Sequence, residues 1–397
     1  MRNNPLFRQD MRLVLDAHIL DWSLFLRNHA KAAQALKALV TQKEQFSCFS
    51  YLWSRSHEFE DHSKHFREFR TILVAGRMED LAGTQCIVDW VQSFTGKHHQ
   101  SFPVVHFIVH PDPELFWEMM GTLDLKHTGV IIIGSNPNDL FPYIILLRCL
   151  ESWKSTECSV QHHIMIWIPK GAELPHIHPV VQTFKLNVQY YSEITPKSSS
   201  CFNEISFSIG NMIGFHFNLF LGGAKKTCQQ YFHHILKSPL EGAALYTTLK
   251  QQYPNLAHWI WNNTKNFHPL AQWIQWMWQD MLTHRYTSSF PKHIFHPPPF
   301  YLGFTTTFWE KKSITDVVFP NYFSSVDPQF TQIHLKQLLE QEFRTTCKIL
   351  TKHTHAVRVF YIKQFSEEIL GGLMAHFLLE TTLLFLMEKE ITFPNPP

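Results

Sequence analysis

The chain has 397 residues, 45% hydrophobic and 17% charged, with a formal net charge of +2. That length and apolar content suit two domains of ordinary size, each with its own core. The near-neutral balance, without any basic run, leaves no electrostatic footprint for nucleic acid.

In chain order, residues 1–60 read as an N-terminal helical extension whose clearest helix is the Ala-rich run from Ala30 to Leu39. The first convincing strand is Arg70-Thr-Ile-Leu-Val-Ala-Gly76, followed by a helix from Leu81 to Phe94. A second strand spans Phe102–Val109, and a helix from Leu115 to Leu123 carries acids in its first turn, as the helix dipole favours. Gly129-Val-Ile-Ile-Ile-Gly134 is a β-branched run bounded by glycines, short enough for a strand buried on both faces of a parallel sheet. Ser135-Asn-Pro-Asn-Asp139 reads as a turn, with Ser135 or Asn136 as N-cap and Pro137 at the first helical position of the helix that follows. Strands are expected at Ser159–Ile168 and Leu186–Tyr191. Strands alternating with helices at this spacing call for an α/β fold with a parallel sheet covered on both faces. The N–H groups opening the Leu140 helix would then lie at the carboxyl end of the sheet, where an anionic group can be held.

The Ser-rich stretch Pro196–Cys201 reads as the passage between domains, giving a first domain over 61–195 and a second over 196–397. The second half predicts helices at Phe207–Leu221, Pro239–Gln251 and Pro269–Leu282, with a strand at Ala257–Asn262 between the last two. From Ser288 to Pro328 prolines punctuate a long irregular region. Helix Gln329–Leu350, strand Ala356–Ile362 and helix Ser366–Glu388 close the pattern. The greasy segment inside that last helix is interrupted by His376 and Glu380, and falls short of the roughly 20 apolar residues of a membrane span. The first ten residues lack the apolar core of a signal peptide. The seven cysteines are scattered without a C-x-x-C pair, which favours free thiols over a disulfide framework or zinc site. The 26 histidines include three adjacent pairs, none with a carboxylate or cysteine at metal-site spacing. A cytoplasmic chain with no membrane or nucleic-acid partner, no metal and no cofactor is expected.

Several stretches, in order, resemble the glucose-6-phosphate isomerase family. His355-Ala-Val-Arg-Val-Phe-Tyr-Ile followed by Ser366-Glu-Glu-Ile-Leu-Gly-Gly-Leu is similar to the family's strand, acidic link and "LGALxxLFE" helix. Phe207-Ser-Ile-Gly-Asn-Met-Ile-Gly214 resembles its "FSxLSxVG" segment, Ser238-Pro-Leu-Glu-Gly-Ala-Ala-Leu-Tyr246 its "NPAxLYAAL" helix, and Pro269–Trp278 its "YFAEWxxQLF" helix. The resemblance runs from about residue 45 to the C-terminus. It implies two tandem sugar-isomerase (SIS) domains of α/β/α build with parallel sheets, a homodimer, and a sugar phosphate as ligand.

At the positions where that family does its chemistry, the chain differs. The glycine-rich "GIGGSxLG" turn reads Gly76-Arg-Met-Glu-Asp-Leu-Ala-Gly83, which keeps only the outer glycines and adds Glu79 and Asp80. Negative charge there repels a dianionic ligand. The phosphate turn corresponds to Gly134–Pro142, leaving Ser135, Asn136, Asn138 and the helix N-terminus as donors, with Asp139 opposing them. Arg77 reads as a solvated loop residue. The family's arginine falls on Ser206, its glutamate base on Asp280, and its ring-opening histidine on Phe300. Isomerisation needs a base, an acid–base pair and cations for the phosphate and the developing enediolate. The resemblance therefore implies an isomerase-like protein with its catalytic positions largely lost, Asp280 standing where a base would be, and Gly76, Ser135, Asn136, Asn138 and Ser206 left to touch a sugar phosphate. The alternative is a rebuilt isomerase with Asp280 as base and His293 or His296 for ring opening. The tryptophans Trp259, Trp261, Trp273, Trp276 and Trp278 are expected to serve a subunit interface.

Overall fold

The computed structural model describes residues 6–388 apart from several stretches, chiefly 42–63 (except 49 and 52), 96–101, 193–196, 233–237, 283–299 and 307–334. His293 and His296 lie outside the described residues. The chain divides into two compact units, one made of 1–42, 222–271 and 281–397, the other of 43–221 and 272–280.

The second of these units is built on five parallel strands: β2 (Thr71–Ala75), β3 (Val104–Ile108), β4 (Thr128–Ile133), β5 (Ile164–Pro169) and β6 (Asn187–Tyr191), in the order β3-β2-β4-β5-β6. All six residues of β4 and of β5 are buried, as apolar runs without alternation require of strands covered on both faces. On one face Leu73, Val130, Ile132 and Ile166 pack with Phe116 and Met120 of a helix over Pro113–Thr122 and with Ile145 and Leu146 of a helix over Phe141–Trp153. Another helix, Met78–Thr95, follows β2.

Three expectations are corrected in this unit. The strand expected from Ser159 begins only at Ile164, because β5 pairs with β4 from Val130 onward; residues Val160–His163 make a helical turn, with His163 Nδ1 2.8 Å from the Thr128 carbonyl. The helix expected over Phe207–Leu221 is two helices, Glu204–Met212 and Phe217–Phe232. Gly214 breaks them: it sits at φ +78°, and Phe215 N–H reaches back to the Gly210 carbonyl at 2.9 Å, the six-to-one bond of a glycine-terminated helix. The Ser-rich stretch is a 3-10 helix, Lys197–Phe202, within this unit.

The other unit carries a four-stranded sheet in the order β1-β9-β8-β7, with β1 over Phe7–Asp10, β7 over His258–Asn262, β8 over Phe300–Thr306 and β9 over Ala356–Ile362. Strands β7, β8 and β9 are parallel, and β1 joins the edge of β9 antiparallel. Two of these strands depart from the reading above: β1 lies where only helix was expected, and β8 inside the span read as irregular. A helix over Trp22–Thr41 packs on one over Ser238–Gln252, where the buried Asn28 amide donates to Thr248 Oγ1 (3.1 Å) and Gln251 Oε1 (3.0 Å). The helix Glu367–Glu388 is long and apolar enough to cross a membrane, but 94% of its apolar window is buried inside the fold. A helix apolar on all sides is what a fully enclosed core position demands.

Inside that core sits an ion pair. Arg358 of β9 donates to both carboxylate oxygens of Glu380 (2.6 and 2.5 Å), and its remaining donors meet Gln9 Oε1 of β1. His376, one helical turn before Glu380, is 3.3 Å from that carboxylate and 2.6 Å from the Tyr231 hydroxyl. Burial alone would raise the Glu380 carboxyl, but the Arg358 charge and hydrogen bonds outweigh it and hold it below its ordinary value. Burial lowers His376 despite the neighbouring Glu380. Both shifts act in one direction: a group lowered on folding contributes stability that is present above its unfolded value and is lost as pH falls through the folded one. Stability is therefore expected to decline from about pH 6.5 downward through His376, and further below about 4.5 through Glu380. Glu380→Gln, which leaves Arg358 buried without its counter-charge, should cost about 3–5 kcal/mol in chemical denaturation, and Arg358→Met with Glu380→Leu should cost clearly less.

Candidate functional site

The strand order reverses at β2: the chain moves from β2 to β3 on one side and then to β4 on the other. Ligands of open α/β sheets bind outside the carboxyl ends of the strands at such a switch point. Here those ends are Ala75-Gly76 and Ile133-Gly134, so the residues that follow each strand form the candidate site.

Gly76 is pressed against β4, and a Cβ there would stand 3.1 Å from Ile133 Cβ and 3.2 Å from Leu81 Cδ1. After β4 the chain does not enter the helix directly. Asn136 Oδ1 accepts from Asn138 N–H at 2.9 Å, and the Asn136 carbonyl accepts from Asp139 N–H at 3.0 Å, a side-chain-supported turn. The expected N-cap at Ser135 or Asn136 is thereby corrected: the helix begins at Phe141, Pro142 lies in its first turn, and Asp139 Oδ1 accepts from Phe141 N–H at 3.0 Å.

The charges at the site are paired. Arg77 binds Asp139 through two hydrogen bonds, Nε to Oδ2 and Nη2 to Oδ1, both 2.6 Å, and lies over the Phe141 ring at 5.5 Å. The Arg77 side chain is 42% exposed whereas Asp139 is 6% exposed. This hydrogen-bonded carboxylate pushes the Arg77 guanidinium above its ordinary value. Arg77 is thus not the free loop cation expected from sequence. Ser135 Oγ donates to the buried carboxylate of Asp80, in the first turn of the Met78–Thr95 helix. Gly76, Ser135, Asn136 and Asn138 are therefore brought together at the carboxyl ends of β2 and β4.

Ser206 is placed differently. It is fully buried at the start of the Glu204–Met212 helix, where Asn203 Oδ1 caps its N–H at 2.9 Å. Its hydroxyl lies 2.6 Å from Thr84 Oγ1 and donates to the Ser200 carbonyl at 2.8 Å. Thr84 is one turn beyond Asp80 on the same helix, so Ser206 lies behind the crevice and not in it. Gly83 makes this closure possible: a Cβ there would come within 2.8 Å of Cys201 Cα, so helix and 3-10 segment meet backbone to backbone. Asp280 belongs to the helix His268–Leu282, and its side chain lies outside the described residues. Phe300 opens strand β8.

The Arg77–Asp139 pair is the feature that sequence reading missed. Its signal was present, an arginine directly after one strand and an aspartate soon after another, but only the pairing of Ala75 with Ile132 across β2 and β4 shows that the two strand ends are neighbours.

No family model and no curated protein matches the chain. Solved structures do. A hypothetical protein from Thermus thermophilus superimposes with a TM-score of 0.76 at 16% identity, covering 95% of this chain and 93% of that one. A glucose-6-phosphate isomerase from Chlamydia trachomatis superimposes with a TM-score of 0.64 at 13% identity, covering 94% of this chain and 73% of that one. Identities this low establish the fold alone: the chain shares with these structures an α/β fold, here with one all-parallel five-stranded sheet and a second sheet of three parallel strands and an antiparallel edge.

The tight packing around position 206 leads to a test. Ser206→Arg, which restores the cation that the family resemblance calls for, should lower the melting temperature sharply and create no isomerase activity, because the site is sealed by Thr84 and Ser200. Thermal denaturation and a coupled assay on the same preparation check both halves.

Proposed function

We propose that this chain is a glucose-6-phosphate-isomerase-like protein that no longer catalyses the isomerisation and binds a sugar phosphate weakly at the carboxyl end of its five-stranded sheet. The observation that carries this reading is the state of the cations. At the position matching the family's arginine stands a buried serine held by Thr84 and Ser200, and Arg77 at the crevice is engaged by a carboxylate. An enediolate and a phosphate both need uncommitted positive charge. With one acid–base group typically worth about 100- to 10,000-fold, losing the ring-opening position and the arginine together removes the reaction. What the crevice keeps is polar: Ser135, the amides of Asn136 and Asn138, and the opening of the Phe141 helix. These groups suit hydroxyls and a weakly held anion.

The reading extends to a cytoplasmic homodimer, with a changed interface. Trp273 and Trp278 are each 1% exposed, so the subunit contact expected of them is corrected to a core role, and Trp276 is half-buried. Trp259 and Trp261 have side chains outside the described residues. The large apolar side chains left in solvent include Leu140, Ile144 and Leu147, spaced by four and three at and after the start of one helix and 39–48% exposed. Such a stripe supports a contact with a second copy. Sedimentation should show a dimer that Ile144→Glu dissociates.

Two measurements on the pure protein test the main reading. In a coupled assay, conversion of fructose 6-phosphate should stay at background, far from the usual enzyme median of about 10 per second. Calorimetric titration with glucose 6-phosphate should give a dissociation constant of about 1 mM or weaker. Turnover above background that Asp280→Asn abolishes would establish the active alternative and refute the reading.

A further inference from the structure

We infer that Asp139 is a built-in competitor at the sugar-phosphate site, a side-chain anion of the chain itself occupying the place where a phosphate would bind. The inference rests on the proposed function only in taking the switch-point crevice as the ligand site.

The geometry is specific. A phosphate held at this crevice would draw on two sources of positive character, the N–H groups opening the Phe141–Trp153 helix and the nearest guanidinium. Asp139 draws on both at once. Its Oδ1 accepts from Phe141 N–H at 3.0 Å and from Arg77 Nη2 at 2.6 Å, while Oδ2 accepts from Arg77 Nε at 2.6 Å. A planar carboxylate set bidentate against a guanidinium, with a helix-opening amide on one oxygen, reproduces how a bound oxyanion would sit. The position in sequence makes this economical: Asp139 lies two residues before the first helical residue, so it needs no distant element to hold it. Asp139 is nearly buried and Arg77 half-exposed, so the carboxylate is on the inside and the guanidinium presents its outer side to solvent. An incoming anion must displace Asp139 from Arg77, or accept the guanidinium's outer edge alone. The second buried carboxylate, Asp80, already takes the Ser135 hydroxyl and repels the same anion.

Affinity for phosphate is therefore set by a side chain that can be removed. The test uses inorganic phosphate as probe, titrated into the full-length chain and followed by calorimetry or phosphorus NMR. Asp139→Ala should bind phosphate at least ten-fold more tightly than the unsubstituted chain, and adding Arg77→Gln should return it to the starting level. If loss of the helix-opening bond prevents Asp139→Ala from folding, Asp139→Asn keeps an amide oxygen for Phe141 N–H while removing the charge, and should gain at least three-fold. A folded Asp139→Asn with unchanged phosphate affinity overturns the inference, as does a gain that survives Arg77→Gln. Titration of glucose 6-phosphate separates this from the proposed function. Binding by the unsubstituted chain with no gain in the variants leaves the sugar-phosphate reading standing and removes the competitor. A gain for phosphate with no binding of glucose 6-phosphate by either protein does the reverse.

Discussion

The unit that contains the C-terminal helix is arranged around one buried charge pair, Arg358 with Glu380, each no more than 2% exposed. Removing such a pair from water is expensive, and it is tolerated only when every donor and lone pair finds a partner. That requirement explains several otherwise unrelated residues. Gln9 must reach in from the edge strand to take the guanidinium's free donors, which ties β1 to β9 beyond its backbone ladder. Ser238 donates to the same Gln9 oxygen at 2.6 Å. Gly242 must have no side chain, because a Cβ there would fall 2.5 Å from Arg358 Nη2 and as close to the Glu380 carboxyl carbon. Phe7 and Phe360 close on His376 with ring centroids 5.4 and 5.2 Å away, sealing the cluster from solvent. An edge strand, a central strand and three helices are thus held by one electrostatic demand.

The five-stranded unit shows the opposite economy. Strands β4 and β5 are largely apolar and buried throughout, and at the carboxyl ends of β2 and β4 the chain pairs its polar groups with one another. Arg77 answers Asp139, and Ser135 answers Asp80. Each pairing is satisfactory for folding and unhelpful for binding, since a ligand must break a formed bond before it makes its own. A catalytic site is normally the place where local rules are broken and the cost is carried elsewhere. The carboxyl end of this sheet breaks few of them. That contrast is the physical content of the loss of function proposed above.

The parts legible in the sequence were those where one physical cause dominates. The Gly129–Gly134 run is apolar and β-branched throughout, and it is a buried strand within one residue of the expected bounds. Strand Ala356–Ile362 falls where its Val and Tyr residues place it. What sequence alone obscured were features set by partners remote in the chain. Strand β8 follows a proline run and contains Gly303, so its local signal is poor; it is a strand because β7 and β9 flank it on both sides. Strand β1 is only four residues, three of them with charged or amide side chains, and its reason is Arg358, which lies 349 residues beyond Gln9. His376 and Glu380 read as interruptions of an apolar helix because the strand residue they serve cannot be seen from that helix. The strand, turn and helix pattern pointed to the strand ends where the site is proposed, but the state of the charges there depended on which strand ends are neighbours.

The two retained glycines of the turn after β2 sharpen the distinction between keeping a motif and keeping its purpose. In the family resemblance such glycines let backbone approach a sugar. Here each has a packing reason that holds with no ligand present. Gly76 has Ile133 Cβ at 3.1 Å from where its own Cβ would stand, tighter than an ordinary contact, so a side chain there would push β2 from β4 at the switch point. Gly83 faces the backbone of Cys201, where a methyl group would drive apart the helix and the 3-10 segment. A chain that had lost all use for a sugar would still need both glycines to keep its sheet and helix together. Of the residues between them, Leu81 and Ala82 belong to the core, whereas Arg77, Met78 and Glu79 are less buried, and there the resemblance fails. Packing can thus preserve the outline of a binding turn after its chemistry has gone, and the residues that measure function are those that packing leaves unconstrained.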